Sequence, residues 1–156
     1  MEGISLAERF PGVDVTGMMA HLNNNGAPYG IRFGNLERLS NSRLALQAGE
    51  FARDQGAFHK FHDLLFRAYF TEVLDIGRLD VLLVLAEKAD LNKDDLKAAL
   101  ENGTYLPRLQ EAAQEAKKQE VVAIPAFFFH NGTEGHRIGG AQPLNMFKDT
   151  LRVLTE

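Results

Sequence analysis

The stretch Val121-Val122-Ala123-Ile124-Pro125-Ala126-Phe127-Phe128-Phe129-His130-Asn131-Gly132 leaves the last third of the chain few options. An apolar and aromatic run that closes on Asn-Gly predicts a strand entering a tight turn. A second, shorter strand is expected through His136 to Ile138, stopping at Gly139-Gly140. Beyond Gln142-Pro143, Leu144, Phe147, Leu151 and Leu154 recur at spacings of three and four, the period of an amphipathic helix. Pro143 suits the first turn of that helix, where an N–H has no partner to lose. The expected order over residues 120–156 is proline, strand, turn, strand, glycine pair, helix.

Upstream the pattern is helical. Residues 1–16 show little periodicity, and a short apolar helix over Met18–Leu22 is expected to stop at Asn23-Asn24-Asn25-Gly26. Residues 27–39 read as a loop with extended character. Asn41-Ser42 can cap a helix from Arg43 that buries Leu44, Ala48, Phe51 and Ala52 and ends at Gly56. Phe58, Phe61, His62, Leu65, Phe66, Tyr69 and Phe70 form the strongest amphipathic stripe in the sequence. Such a stripe can line a groove for an apolar peptide. Helical spacing of large apolar side chains is first of all how a helix buries itself, so the stripe is assigned to the core. Further helices are expected around Val81–Ala89, after Asn92 with Asp95 three residues on, and from a Thr104 cap to Lys117-Lys118. Helices followed by one hairpin and one helix make an α-rich α+β pattern.

Composition removes several function classes. At 156 residues and 45% apolar, the chain can hold one well-buried core, or a core with a satellite helical cluster. Seventeen Lys and Arg against twenty-one Asp and Glu leave a net charge of −4, with the signs interspersed; this argues against nucleic-acid or anionic-membrane partners. No run approaches the roughly 18 apolar residues of a membrane span. The N-terminus lacks a basic segment followed by an apolar one, so the cytoplasm is the default compartment. There is no cysteine, which excludes disulfides, thiolate metal sites and a thiol nucleophile within these residues. His59 and His62 share a helix face, and His130 and His136 flank the turn and are expected across the hairpin from each other. No third ligand stands at a metal-binding spacing, so no metal and no cofactor is assigned. Gly139-Gly140 lacks the spacing and the following Lys-Ser or Lys-Thr of a phosphate loop.

The C-terminal order resembles the second half of a thioredoxin fold. Ile124-Pro125-Ala126-Phe127 with Ile138-Gly139-Gly140-Ala141-Gln142-Pro143 resembles the DsbA-like family, and within it the FrnE-type subgroup. Ser40-Asn41-Ser42-Arg43-Leu44-Ala45-Leu46, Phe61 to Phe70 and Asp75-Ile76-Gly77 resemble the helical insertion of that subgroup. The resemblance runs from about residue 3 to the end. It implies a partial thioredoxin-like (DsbA-like) fold, with residues 1–119 as a helical insertion domain with an irregular N-terminal segment. Residues 120–156 would be the C-terminal part of the thioredoxin-like domain. It also implies a cis Ile124–Pro125 bond, and makes Ile124, Pro125 and Ala126 the expected substrate-binding residues, beside which the backbone of a protein or peptide thiol or disulfide would pair. In that family a Cys-x-x-Cys thiolate performs the exchange. The resemblance implies that this segment would precede residue 1, so no catalytic residue is expected in this chain and exchange by it alone should fail. Without the elements that cover Phe127–Phe129, the hairpin would expose apolar surface and two edges, and homo-oligomers through those edges are expected. Two alternatives stand beside this reading: a non-catalytic peptide- or partner-binding module, and a relative of the glutathione-dependent 2-hydroxychromene-2-carboxylate isomerases and kappa-class transferases, which use a serine in place of the first cysteine.

Overall fold

The small side chains of one helix set how closely the next can approach, and this governs the helical part of the protein. In the computed structural model, which describes residues 3–155, helix α3 (Arg43–Asp54) buries Ala45, Ala48, Phe51 and Ala52 on one face. Against it pack α4 (Phe58–Phe66), α5 (Leu79–Lys88) and α6 (Lys93–Glu101). Phe61, Leu82 and Leu96 are the largest fully buried side chains, and they share one cluster with Leu65, Leu85, Leu100 and Tyr105. Gly56, at φ +70, ends α3 where the sequence places the stop. Asn92 caps α6 by accepting from the N–H groups of Asp94 and Asp95 at 2.9 and 3.2 Å. Ser42 holds the N-cap position of α3 without a side-chain cap, and Asn41 before it accepts from Arg43 N–H through Oδ1 at 3.1 Å.

This unit extends over Met1–Leu109, and Gln110–Glu156 forms a second one. Helix α7 (Leu106–Lys118) begins two residues after Thr104 and carries residues of both. Within the first unit, Arg108 forks onto Asp54 at 2.9 and 3.2 Å and reaches Glu50 at 3.2 Å, while the Tyr105 hydroxyl donates to Asp54 at 3.1 Å. The Arg108 hydrogen bond holds the Asp54 carboxyl below the usual range.

The N-terminal segment is more ordered than its sequence pattern predicts. Strand β1 (Ile4–Ser5) pairs antiparallel with β2 (Arg38–Leu39), in the register Ile4 to Leu39. A one-turn helix α1 (Leu6–Arg9) follows β1, and α2 (Val15–Gly26) starts on an Asp14 cap. Leu6, Met19 and Leu36 form a second, small core. The helix does not stop before the asparagine run, because Asn23 uses its side chain elsewhere: Oδ1 accepts from Phe33 N–H at 2.9 Å and Nδ2 donates to the Phe33 and Met19 carbonyls at 3.1 Å. Asparagine is a poor helix former, and a tertiary clamp outweighs the few tenths of a kcal/mol at stake.

One buried polar group is left incomplete. Gln47 in α3 is 2% exposed; its Nε2 donates to the Arg43 carbonyl at 3.3 Å while Oε1 has no partner among the described residues. An orphaned buried acceptor costs more than a methyl-bearing group of similar size. Gln47→Leu is therefore expected to raise stability by about 1 kcal/mol, read as a higher urea midpoint at unchanged slope; a lowered midpoint would show that Oε1 has a partner in solution.

In the second unit, β3 (Ala126–His130) and β4 (Gly135–Gly139) pair antiparallel over their full lengths, so β4 is longer than expected. The connection is the four-residue loop 131–134 rather than a tight Asn-Gly turn. Asn131 Oδ1 accepts from the N–H groups of Thr133 and Glu134, both at 2.9 Å, and Gly132 sits at φ +95. That loop shifts the register: His136 lies opposite Phe129 and His130 opposite Gly135, so the two histidines are not a cross-strand pair. Helix α8 (Leu144–Thr155) packs Phe147 against Phe127 and Phe129, at ring separations of 4.8 and 6.1 Å, and Asn131 Nδ2 ties the loop to the Leu154 carbonyl at 2.9 Å. Arg137 donates to the carbonyls of Gln119 and Glu120, which the end of α7 leaves open.

Candidate functional site

After α7 the chain turns at Glu120, with φ +53, and crosses open solvent before entering the hairpin. Val122 is 95% and Ile124 87% exposed, values at which an aliphatic side chain gains nothing from the fold. The Ile124–Pro125 peptide bond is cis. The Pro125 carbonyl accepts from Gly140 N–H at 2.8 Å, and Gln142 Nε2 closes on the Gly139 carbonyl at 3.0 Å. Gly140 takes φ +76 to make this contact, a conformation that favours glycine at the end of β4. Ala126 starts β3, half-buried and opposite Gly139. Ile124, Pro125 and Ala126 thus lie on one shoulder fixed at its C-terminal side. The Ile124 amide and carbonyl make no hydrogen bond among the described residues.

Free backbone groups beside an exposed aliphatic side chain can hold an extended chain; they cannot move a proton. No titratable side chain occurs between Val121 and Phe129. Among the described residues, no group of three His, Asp or Glu could hold a metal ion, and no helix is long and apolar enough to cross a membrane.

The aromatic stripe divides in two, which its spacing alone did not separate. Phe61, Leu65 and Ala68 face the core. Phe58, His62, Phe66 and Phe70 stack along the opposite edge at ring separations of 5.2, 4.3 and 5.5 Å, with Arg53 3.9 Å over Phe58 and Phe33 edge-on to Phe70 at 5.8 Å. The separation is completed by a π-helical turn over Arg67–Thr71. Its extra residue rotates Phe70 toward residues 30–34 and Ala68 inward. A depression of about 850 Å³ lies between this ladder and that loop. His62 is therefore a ring in a stack, and His59 stands beside Phe58 without a metal-binding partner.

A profile of the DSBA-like thioredoxin domain matches residues 3–152. Over 98 residues the chain is 32% identical to the uncharacterized protein YwbO of Bacillus subtilis (strain 168), covering 62% of this chain and 49% of the relative. The chain thus spans about half the length of that protein. Among solved structures it is similar to a probable DsbA oxidoreductase of Streptomyces coelicolor, at a TM-score of 0.72 and 20% identity over 88% of this chain and 59% of the other. It is also similar to a Nitrosomonas europaea protein suggested to be a protein disulfide isomerase, at a TM-score of 0.71 and 14% identity over 98% and 76%. At these identities the structural likenesses speak for the fold alone.

Proposed function

Because this chain belongs to the DSBA-like thioredoxin domain family, we propose that it is the substrate-holding portion of a FrnE-type thiol–disulfide oxidoreductase. Residues 120–156 serve as the C-terminal part of the thioredoxin-like domain and residues 1–119 as its helical insertion, working in the cytoplasm. The observation that carries the reading is the exposed Ile124, whose amide and carbonyl make no hydrogen bond among the described residues, beside a fixed strand entrance. There an extended thiol or disulfide substrate adds its own backbone, as an incoming strand does at a sheet edge. In the exchange itself a thiolate attacks one sulfur of the substrate disulfide and forms a new S–S bond. The other sulfur leaves as a thiolate. These 156 residues contain no cysteine, so the attacking thiolate must come from outside them.

The test is a titration of isotopically labelled protein with a short peptide whose single cysteine carries a methylthio group. Amide shifts centred on Ile124 and Ala126 are expected, abolished by Ile124→Asp, with the methylthio group left intact. Ile124 is exposed, so this variant retains the fold. Shifts confined to other residues would defeat the reading. A several-degree rise in Tm with glutathione alone would instead favour the isomerase and transferase branch.

Partners include a second copy of the chain. Both hairpin edges are unpaired among the described residues, and Phe128 is 49% exposed on the sheet face away from Phe147. Unpaired strand edges and an exposed aromatic ring on one sheet face are surfaces that a second copy can cover. Sedimentation at high micromolar concentration is expected to show a dimer that Phe128→Lys dissociates. A clean wild-type monomer would remove self-association from the proposal.

A further inference from the structure

The two strands of the second unit leave edges of different character. Hydrogen-bonded and non-bonded pairs alternate along an antiparallel ladder. The Pro125 carbonyl accepts from Gly140 N–H at one end of the hairpin, and Asn131 N–H donates to the Glu134 carbonyl at the other. In the continuous register between them the bonded pairs are therefore Phe127 with Ile138 and Phe129 with His136. The N–H and C=O groups of Ala126, Phe128 and His130 face away from β4, and none has a partner among the described residues. By the same alternation β4 turns Gly135, Arg137 and Gly139 outward. Its edge is blunted: Gln142 Nε2 occupies the Gly139 carbonyl at 3.0 Å, and Arg137 sets a charge at the middle. Strand β3 has no such protection. Ala126 to His130 contain no Lys, Arg, Asp, Glu or Pro, and no bulge interrupts them.

The flank above that edge is apolar too. On α8, Met146, Asp149 and Val153 line a depression beside His136 of β4. Leu144 and Leu151, two turns apart, stand on the opposite flank of the helix at 67% and 48% exposure. These features fit a second copy of the chain. An antiparallel partner centred on Phe128 brings Ala126 opposite His130 and Phe128 opposite its own counterpart, so the outward groups of both copies are paired at once. Phe127 falls opposite Phe129, and aromatic cross-strand pairs add to the pairing. The twofold closes, and only the blunted β4 edges remain outside. The same operation on β4 would set Arg137 against Arg137, which like charge opposes.

We propose that a second copy seats on the outer edge of β3, antiparallel and centred on Phe128, and thereby closes the Ile124 shoulder to substrate. The closure rests on the shoulder reading above: a peptide that pairs beside Ile124 and Ala126 needs the outward Ala126 groups that His130 of the second copy takes. Residue-resolved amide exchange of the wild-type chain tests the edge. From low to high micromolar concentration, Ala126, Phe128 and His130 N–H should gain protection, while Phe127 and Phe129 are protected at both. Phe128→Cys, which introduces the only thiol, should crosslink to a dimer with diamide; Arg137→Cys, at the matching place on β4, should not. The crosslinked dimer should lose the titration peptide carrying alanine in place of its modified cysteine, and the reduced monomer should keep it. Exchange at Ala126, Phe128 and His130 that ignores concentration overturns the proposal, as does crosslinking of Arg137→Cys in place of Phe128→Cys. Equal peptide binding by the crosslinked and reduced forms overturns the closure. Absence of peptide binding from both forms defeats the shoulder reading instead, and with it the closure, while exchange and crosslinking still decide the edge.

Discussion

Phe61→Ala is expected to lower the unfolding free energy of the helical unit by about 3–5 kcal/mol, a large part of what a domain of this size has to lose. Phe61 is wholly buried, and the cluster around it is built partly from Ala45, Ala48, Ala52, Ala68 and Ala86. Alanine has no rotamer with which to fill a vacated space. The cavity therefore persists, and its cost adds to the lost transfer free energy. Urea unfolding followed by helical circular dichroism measures this directly. Phe66→Ala on the same helix removes the same ring from a half-exposed position and should cost at most about 1 kcal/mol, chiefly stacking with His62 and Phe70. Equal losses from the two variants would mean that the stripe is core throughout and that no aromatic edge is offered to solvent.

That contrast also marks how far the sequence could be read. Period and punctuation were enough for α3 to α6, because Leu, Phe and Ala at three-and-four spacing, with Gly56 and Asn92 as stop and cap, specify a local outcome. They were enough for the existence and pairing of the hairpin, whose residues stand together in the chain. They failed wherever a distant partner decided. Nothing near Asn23 says that its amide will clamp Phe33 ten residues away, so the asparagine run read as a helix breaker. The two-residue pairing of β1 with β2 joins Ile4 to Leu39 and Ser5 to Arg38, far apart in the chain, and neither strand is long enough to show alternation. Asn-Gly reads as a tight turn, whereas Asn131 turns its side chain onto Thr133 and Glu134 and the loop takes four residues, which decides which residues the histidines face. The ladder was hidden for a different reason. A helical projection of residues 58–70 shows one broad stripe, and only the π-helical turn separates the ring that meets Phe33 from the side chains that meet α3. That turn leaves no signature in composition.

Gly34→Ala should produce the second large effect, at the contact of residues 30–36 with the π-helical turn. A Cβ at Gly34 would lie 2.4 Å from Val73 Cγ2 and 2.6 Å from the Thr71 carbonyl oxygen. The first contact involves a β-branched side chain whose backbone is held at φ +57, and the second is backbone in the π-helical turn, so neither can swing aside cheaply. Relief requires residues 30–36 to move away from residues 67–74. That movement breaks the Gly34–Phe70 and Thr71–Arg32 hydrogen bonds that join the two segments. Overpacking of this kind costs about 1–3 kcal/mol, with about 1 kcal/mol more for each hydrogen bond lost. Gly49→Ala, where the nearest atom is a Phe58 ring carbon at 4.0 Å and the position lies inside α3, should shift stability the opposite way by about 0.5–1 kcal/mol. Hydrogen exchange distinguishes local from global damage in the Gly34 variant. Protection should fall at residues 30–36 and 67–74 and persist through Ala45–Ala52 and Leu82–Leu100, because the main cluster does not include the loop. Unchanged exchange at residues 67–74 would mean that the close approach at Gly34 is relaxed in solution.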